Sequence, residues 1–494
     1  MTEQVSPNGA LLDALRFLRD FRFRILAVSA AVVVPCFWHR DIVSSDLGSH
    51  LYNAWLAQLI RQGHLPGLWV GQQHTNVFFD YLLSGFGAAF GLHTGEKLAV
   101  SLAVLVFFWG SFALVAAAAR RAPWFIAPCI ALFTYGWTFH LGFFNYYLSL
   151  GFAFFALAIL WRGSVREWIA VVPLGALCVL GHPLGLVWLA GGGVYVVVAE
   201  RMPHRAYQLL LSLVAAALLF AAHKYVWAHY NVYSEPDPRS TFTGLDQLYL
   251  FGPRYQVVQY ALLAFALIAL IVDLAFARER RRTWSRYAVP LQLLVLAELG
   301  VQLSPGGVHF PPPTAALALV TERLTLIAAV LICCVLGIMR PRKWYLAASG
   351  VIAVIFFGLV YRDTAAVLRM EQQVVQLVSQ LPPNQRVMGT ILRPPDSRVL
   401  VQHILDRACI GRCWSYGNYE PSTGLFHVHA APGNPYVLSS YDDAVDMENG
   451  EYTVQPEDLP VYQVYQCDAT GEKLCMRALE AGEENDHLGV HPDE

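Results

Sequence analysis

The sequence predicts an α-helical polytopic membrane protein with about 11 transmembrane helices and a small C-terminal α/β extracytoplasmic domain. Three observations carry this prediction. First, 56% of the 494 residues are hydrophobic and only 14% are charged, whereas soluble proteins run at roughly 45–50% and roughly 25%. Second, long apolar runs alternate with short arginine-bearing connections. Third, a net charge of -2 hides a division, because residues 362–494 hold 9 basic and 20 acidic residues, leaving +9 on the body and −11 on the tail. Composition therefore excludes an ordinary cytosolic enzyme, and the lack of an overall basic surface argues against nucleic acid as a partner.

The elements follow in chain order. The first apolar run, 25–38, comes after Arg16, Arg19, Arg22 and Arg24. No small-residue cleavage site follows it, so it reads as a retained first helix with a cytoplasmic N-terminus. Further runs lie at 98–119, 123–139, 143–161, 168–180, 184–199, 207–227, 255–277, 287–303, 324–339 and 344–361. Several are short for a helix that needs ~20 residues to cross. With these spans, the connections holding Arg120 and Arg121, Arg162 and Arg166, Arg201 and Arg205, Arg278 to Arg286, and Arg340 to Lys343 fall on one side, as the positive-inside rule requires. This topology needs the apolar segment 77–92 to stay at the outer face within a long first loop, 40–97. The odd number of spans then puts the C-terminus outside.

Cysteine usage is an independent check on that side. Cys36, Cys129, Cys178, Cys333 and Cys334 lie in apolar runs, whereas Cys409, Cys413, Cys467 and Cys475 lie in the tail. Four cysteines outside the membrane suit two disulfides, with three connectivities open and local pairing preferred; a zinc site is the alternative. The expected domains are 1–361 in the membrane, 362–480 outside it and an acidic, disordered 481–494. Within the second, a helix at 364–380 precedes strands at 386–392 and 460–466.

The first outer loop carries the main chemical candidate. It contains Asp41, then Asp46-Leu47-Gly48-Ser49-His50, then apolar residues at Leu51, Ala54, Trp55, Leu59 and Ile60. That spacing predicts an amphipathic helix lying along the membrane surface, ended by Gly63 and Pro66. Asp46 sits at the water boundary, where a carboxylate can meet both a lipid-borne and an aqueous substrate. An Asp before a helical run is also a common N-cap.

The order of parts resembles the GT-C superfamily of integral-membrane glycosyltransferases, which includes protein O-mannosyltransferases, bacterial aminoarabinose transferases and oligosaccharyltransferase. As motif, the resemblance covers about 41–69; as architecture, it covers most of the chain. This sequence has Asp46-Leu47-Gly48-Ser49-His50 where several of these families have adjacent acids or an Asp-x-Asp. The resemblance implies transfer of a sugar from a polyprenyl-phosphate or polyprenyl-diphosphate donor, with inversion, at the outer face of a bacterial-type plasma membrane. The acceptor, whether glycan, lipid or protein, is not specified. Such chemistry needs a base on the acceptor hydroxyl or amide and cations at the leaving phosphate. Asp46 is the first candidate base and Asp41 the second. Any divalent cation would fall to Asp46 and Asp80.

On this topology the polar residues His140, Asn145, His182, Arg254, His309, Glu322 and Arg323 collect at the outer ends of spans, with His50 in the first loop, as candidate substrate-binding residues. Arg323 is the foremost phosphate ligand, since a guanidinium fork matches phosphate oxygens and a helix start favours anions. Arg254 and Arg239 carry the same reading. Tyr146 and Tyr147 read as part of an interfacial aromatic belt. Two other classes fit many spans and lipid-linked substrates: a transporter or flippase, which would show broken helices in corresponding halves, and a polysaccharide polymerase or ligase, which would not need so early an acid.

Overall fold

The computed structural model describes residues 16–234, 244–276, 280–310, 316–394, 396–401, 403–423, 426–468 and 471–486. Arg239 and residues 487–494 lie outside them. The chain is mostly helical. In order, it forms α1 (Arg22–Val33), α2 (Leu47–Arg61), β1 (Leu68–Val70), α3 (Phe78–Phe90), α4 (Leu92–Ala119), α5 (Ala127–Thr134), α6 (Trp137–Leu141), α7 (Phe144–Arg162), α8 (Val171–Gly181), α9 (Pro183–Ala199), α10 (Arg205–His229) and β2 (Asn231–Tyr233). Then come α11 (Gln256–Ala275), α12 (Arg280–Leu303), β3 (Gly307–His309), β4 (Ala316–Leu317), α13 (Val320–Ile338) and α14 (Lys343–Val378). The C-terminal part holds β5 (Arg386–Thr390), α15 (Ile404–Cys409), β6 (Trp414–Ser415), α16 (Glu420–Thr423), β7 (Val428–Ala430), α17 (Tyr441–Asn449), β8 (Val461–Gln466) and β9 (Leu474–Leu479).

Among the described residues, six helical stretches are long and apolar enough to cross a membrane: Leu92–Ala119, Phe144–Arg162, Arg205–His229, Pro253–Ala275, Val320–Ile338 and Lys343–Val378. Every apolar run of the sequence coincides with helix, although α3, α8 and α9 are shorter. The run at 123–139 is broken into a 3-10 turn, α5 and α6, with Gly136 at the break. Broken backbone is tolerated at such depth only where its polar groups find partners. Here the Gln247 side-chain oxygen accepts from the Thr138 N–H at 3.0 Å, and its amide donates to the Glu322 carbonyl at 3.0 Å.

Two elements differ from the sequence-based expectation. The helix expected at 364–380 is no separate element: α14 runs unbroken from Lys343 to Val378, about 54 Å at 1.5 Å per residue. Nothing in its sequence breaks it before Leu381-Pro382-Pro383, so the last apolar helix delivers the C-terminal part as a rigid extension. The second difference is α2, expected along the membrane surface. Leu47, Gly48, Ser49, His50, Leu51, Tyr52, Asn53 and Ala54 are all buried, so the helix is enclosed on every side near its start.

The C-terminal part covers α2. Its four-stranded sheet has the order β6-β5-β8-β9, with β5 parallel to β6 and β8 and antiparallel β9 at the edge. The strands expected at 386–392 and 460–466 are β5 and β8. Cys409 pairs with Cys413 and Cys467 with Cys475, the local connectivity. Within the stretch expected to be disordered from 481, the described residues 481–486 pack on the C-terminal part. Asn485 is fully buried and donates to the Met447 carbonyl at 2.7 Å.

First loop and C-terminal part are sewn together. β1 pairs antiparallel with β7, placing Trp69 opposite His429 with their rings stacked. The Tyr52 hydroxyl accepts from the Ser415 N–H at 3.0 Å, and Asn53 and Asn418 exchange amide hydrogen bonds. These polar pairs sit in a buried seam, where an unmade hydrogen bond costs about 1–3 kcal/mol, so they fix the register in which the two parts meet.

Candidate active site

Asp46 lies where three parts of the chain converge: the first loop, the α6–α7 turn and the C-terminal part. Its N–H donates to the Leu141 carbonyl at 3.1 Å, and the Ser45 N–H donates to the His140 carbonyl at 2.8 Å. The approach is close enough to need glycine. Gly142 has φ +89°, and a Cβ there would stand 2.7 Å from the Asp46 nitrogen. On the other side, a Cβ on Gly48 would collide with the His403 carbonyl. Two bare backbones thus let the loop reach both walls.

Asp46 occupies the N-cap position of α2, yet its side chain makes no capping hydrogen bond. The carboxylate instead faces inward, with 24% of its surface open. Burial pushes its proton affinity up, and the charges of His403, His50 and Arg323 pull it back. A carboxylate so balanced is more basic than a free aspartate while still flanked by cations, which suits a general base.

Those cations come from different elements. Arg323, in the first turn of α13, stacks its guanidinium 3.8 Å from the Phe143 ring centre and approaches His182 Nε2 at 3.2 Å. His182 caps α9, its Nδ1 accepting from the Leu184 N–H at 3.2 Å, which fixes the Nε2 edge toward Arg323. The Tyr146 hydroxyl donates to the Arg323 carbonyl at 2.6 Å. Tyr146 and Tyr147 are both fully buried, Tyr146 against Arg323 and His182 and Tyr147 against Phe107 and the Thr134 carbonyl, so they are core residues and not an interfacial belt.

His50, one turn along α2, pairs with Asp80 at 2.7 Å. Burial opposes its charge, but Asp80, with Glu420 and Asp46, pushes it up to about 9. Asn145 donates to the other Asp80 oxygen at 2.9 Å and to the Asn76 carbonyl, while its own oxygen accepts from the Phe79 N–H at 2.6 Å. Asn145 therefore docks the start of α3 and aims Asp80 at His50.

The C-terminal part supplies residues that sequence reasoning missed. His403 Nε2 stands 3.8 Å from Asp46 Oδ1, and its Nδ1 donates to Asp406 Oδ2 at 2.9 Å. The other Asp406 oxygen accepts from the Ser415 hydroxyl. Glu420 accepts from Ser49 at 2.9 Å, and burial, opposed by His50, pushes it up to about 7. A His and an Asp three apart at a helix start, followed by a disulfide, was the available signal in the sequence.

The remaining candidates lie elsewhere or serve the fold. Asp41 belongs to a separate charge cluster: Arg407 reaches Asp41 at 3.7 Å, Glu96 at 3.2 Å and Glu371 at 3.4 Å, and His93 lies 3.5 Å from Asp41. Ligand atoms of Asp41, His93 and Glu96 lie within 4.8 Å of one another, but the Arg407 guanidinium already supplies the positive charge there. Asp46 and Asp80 form no such group among the described residues. His140 is buried, with Nδ1 at 3.0 Å from the Val43 carbonyl. Arg254 pairs with Asp363 at 3.0 Å. His309 is exposed in β3, opposite Asn231 and Ala316. Glu322 is buried beside Arg323 in sequence, its carbonyl bound by Gln247.

No protein-family model matches the chain, and no curated protein matches it. Among solved structures, it is similar to the crystal structure of ArnT from Cupriavidus metallidurans in the apo state, with 13% identity and a TM-score of 0.38, over 96% of this chain and 99% of that one.

Proposed function

We propose that the protein is an inverting glycosyltransferase that moves a sugar from a polyprenyl-phosphate or polyprenyl-diphosphate donor to an acceptor, with Asp46 as the base. The observation that carries this reading is a carboxylate held by burial and flanked by cations, one of which, Arg323, starts an apolar helix of membrane-crossing length. A base and a phosphate-binding cation are the two charges that displacement at an anomeric carbon asks for. Arg323, oriented by its stacking on Phe143, binds the leaving phosphate and takes up the charge that grows on it. Asp46 removes the proton from the acceptor hydroxyl or amide on the opposite face of the sugar.

In this reading the site opens at the extracytoplasmic face of a bacterial-type plasma membrane, with the N-terminus cytoplasmic and the C-terminus outside. The arginine-bearing connections and the two disulfides of the C-terminal part support that orientation. The test supplies radiolabelled polyprenyl-phosphate sugars, with a membrane extract as acceptor source, to purified protein in detergent and compares wild type with Asp46→Asn. Glycosidic product from wild type and none from the variant is expected. Full turnover by Asp46→Asn removes Asp46 as base. Accumulation of donor in vesicles without a glycosidic product replaces the proposal with transport.

A further inference from the structure

From Asp46, a run of polar side chains that the proposed chemistry leaves unused, His403, Asp406 and Ser415, leads into the C-terminal part. His403 and Asp406 are 3% and 4% exposed. A buried imidazole bonded to a buried carboxylate is there for its charge or its orientation, because two apolar residues would fill the same volume without desolvating an ion.

We propose that the His403–Asp406 pair is a positioning device that sets a cationic imidazole against Asp46 and so holds the base ionised. The inference rests on the reading of Asp46 as base. Its geometry is directional. Asp406 is itself fixed by Ser415 and takes the Nδ1 proton of His403 at 2.9 Å, which leaves the Nε2–H edge facing Asp46 Oδ1 at 3.8 Å. Burial opposes a charge on His403, yet Asp406, with Glu448 and Asp46, pushes it up to about 10, so both ring nitrogens carry protons at neutral pH. His403 therefore accepts nothing during the reaction. The acceptor proton passes to Asp46, the acceptor atom bonds to the anomeric carbon, and the bond to the phosphate oxygen breaks with its electron pair on the phosphate. The part of His403 is to keep Asp46 unprotonated beforehand.

Charged groups from several elements bear on the pair, Glu420 of α16 acting on His403 among them. His50 on α2 and Arg323 on α13 also pull Asp46 down, while Asp406 on α15 raises it. Tyr419 and Glu448, the latter on α17, also interact electrostatically with Asp46. Of the three cations, His403 acts most strongly on Asp46, and it alone comes from the C-terminal part. The close approach of Gly48 to the His403 carbonyl sets the separation between the imidazole and the Asp46 loop.

The experiment follows the protonated-carboxyl infrared band of Asp46 in the full-length purified protein, assigned by difference from Asp46→Asn. In His403→Gln the midpoint of that titration is expected to rise by about 1–3 pH units, the effect of losing an opposite charge at this distance. Asp406→Asn removes the partner that keeps His403 charged but also an acid that itself raises Asp46, so the midpoint is expected to rise by less, and His403→Lys is expected to return it toward wild type. With radiolabelled polyprenyl-phosphate sugar as probe, His403→Gln is expected to shift the acid limb of kcat upward by the same amount and to leave the donor KM unchanged. An unchanged midpoint in both His403→Gln and Asp406→Asn overturns the proposal, as does a uniform loss of amplitude with no shift. Turnover by Asp46→Asn would instead overturn the base reading and leave the infrared result standing, so the two failures are separable.

Discussion

Asp41 and Asp46 stand five residues apart in one loop, both about a quarter exposed, and end in opposite electrostatic situations. Around Asp41 the charges close on themselves: Arg407 answers Asp41, Glu96 and Glu371 and donates to the Ile42 carbonyl at 3.1 Å, while Lys97 donates to the carbonyls of Cys36 and His39. Around Asp46 they stay open, with three cations acting on a carboxylate that neither caps its helix nor reaches an imidazole closer than 3.8 Å. The first arrangement is a clasp joining the first loop, α4, α14 and α15. The second leaves a carboxylate open, as the proposed base requires. An acid's function here is decided by how completely its neighbours use it up, which residue type and loop position do not reveal.

The comparison can be broken most directly by neutralising each acid. Asp46→Asn is expected to lower the transfer rate by about 10²–10⁴-fold, the usual worth of a general base, with little change in melting temperature. Asp41→Asn is expected to keep most of the activity. Equal losses from the two would erase the distinction. Next in size is the clasp itself: Arg407→Met leaves the buried Glu96 and Glu371 without their shared cation and is expected to cost about 3–5 kcal/mol of stability, read as a lowered midpoint of thermal or denaturant unfolding. Arg323→Lys keeps the charge but loses the planar fork and its stacking on Phe143, and is expected to raise the donor KM by about tenfold with stability nearly unchanged. The smallest effect is a pH dependence. His50 is held at about 9 when folded against roughly 6.5 unfolded, so its contribution is fully present below about 6.5 and is lost as pH rises through about 9. The melting temperature should fall across that window, and Asp80→Asn should flatten the fall.

Much of the fold was legible because membrane insertion writes itself into composition. Apolar runs such as 98–119 and 143–161 became α4 and α7 with small changes of boundary. Arg323 and Asp46 could be singled out because a charge beside an apolar run is conspicuous. The enclosure of α2 was not legible. Its apolar spacing looks the same whether lipid or protein covers it, and only Ser49, Tyr52 and Asn53, satisfied by partners some 360 residues away, tell the two apart. The same distance concealed His403 and Glu420: the His403–Asp406 spacing is a local signal of a paired histidine, but nothing in it points to Asp46.

By itself, then, the sequence determined that the chain is a helical membrane protein with a mixed C-terminal part, that its four tail cysteines suit two local disulfides, and that an acid stands early in the first loop. Hydrophobicity and local spacing are properties of short stretches, so a linear reading reaches them. Only the tertiary structure decided which acid is used up and which is left open, because electrostatic fields act through space between α2, α13 and α15, whose order along the chain says nothing of their separation.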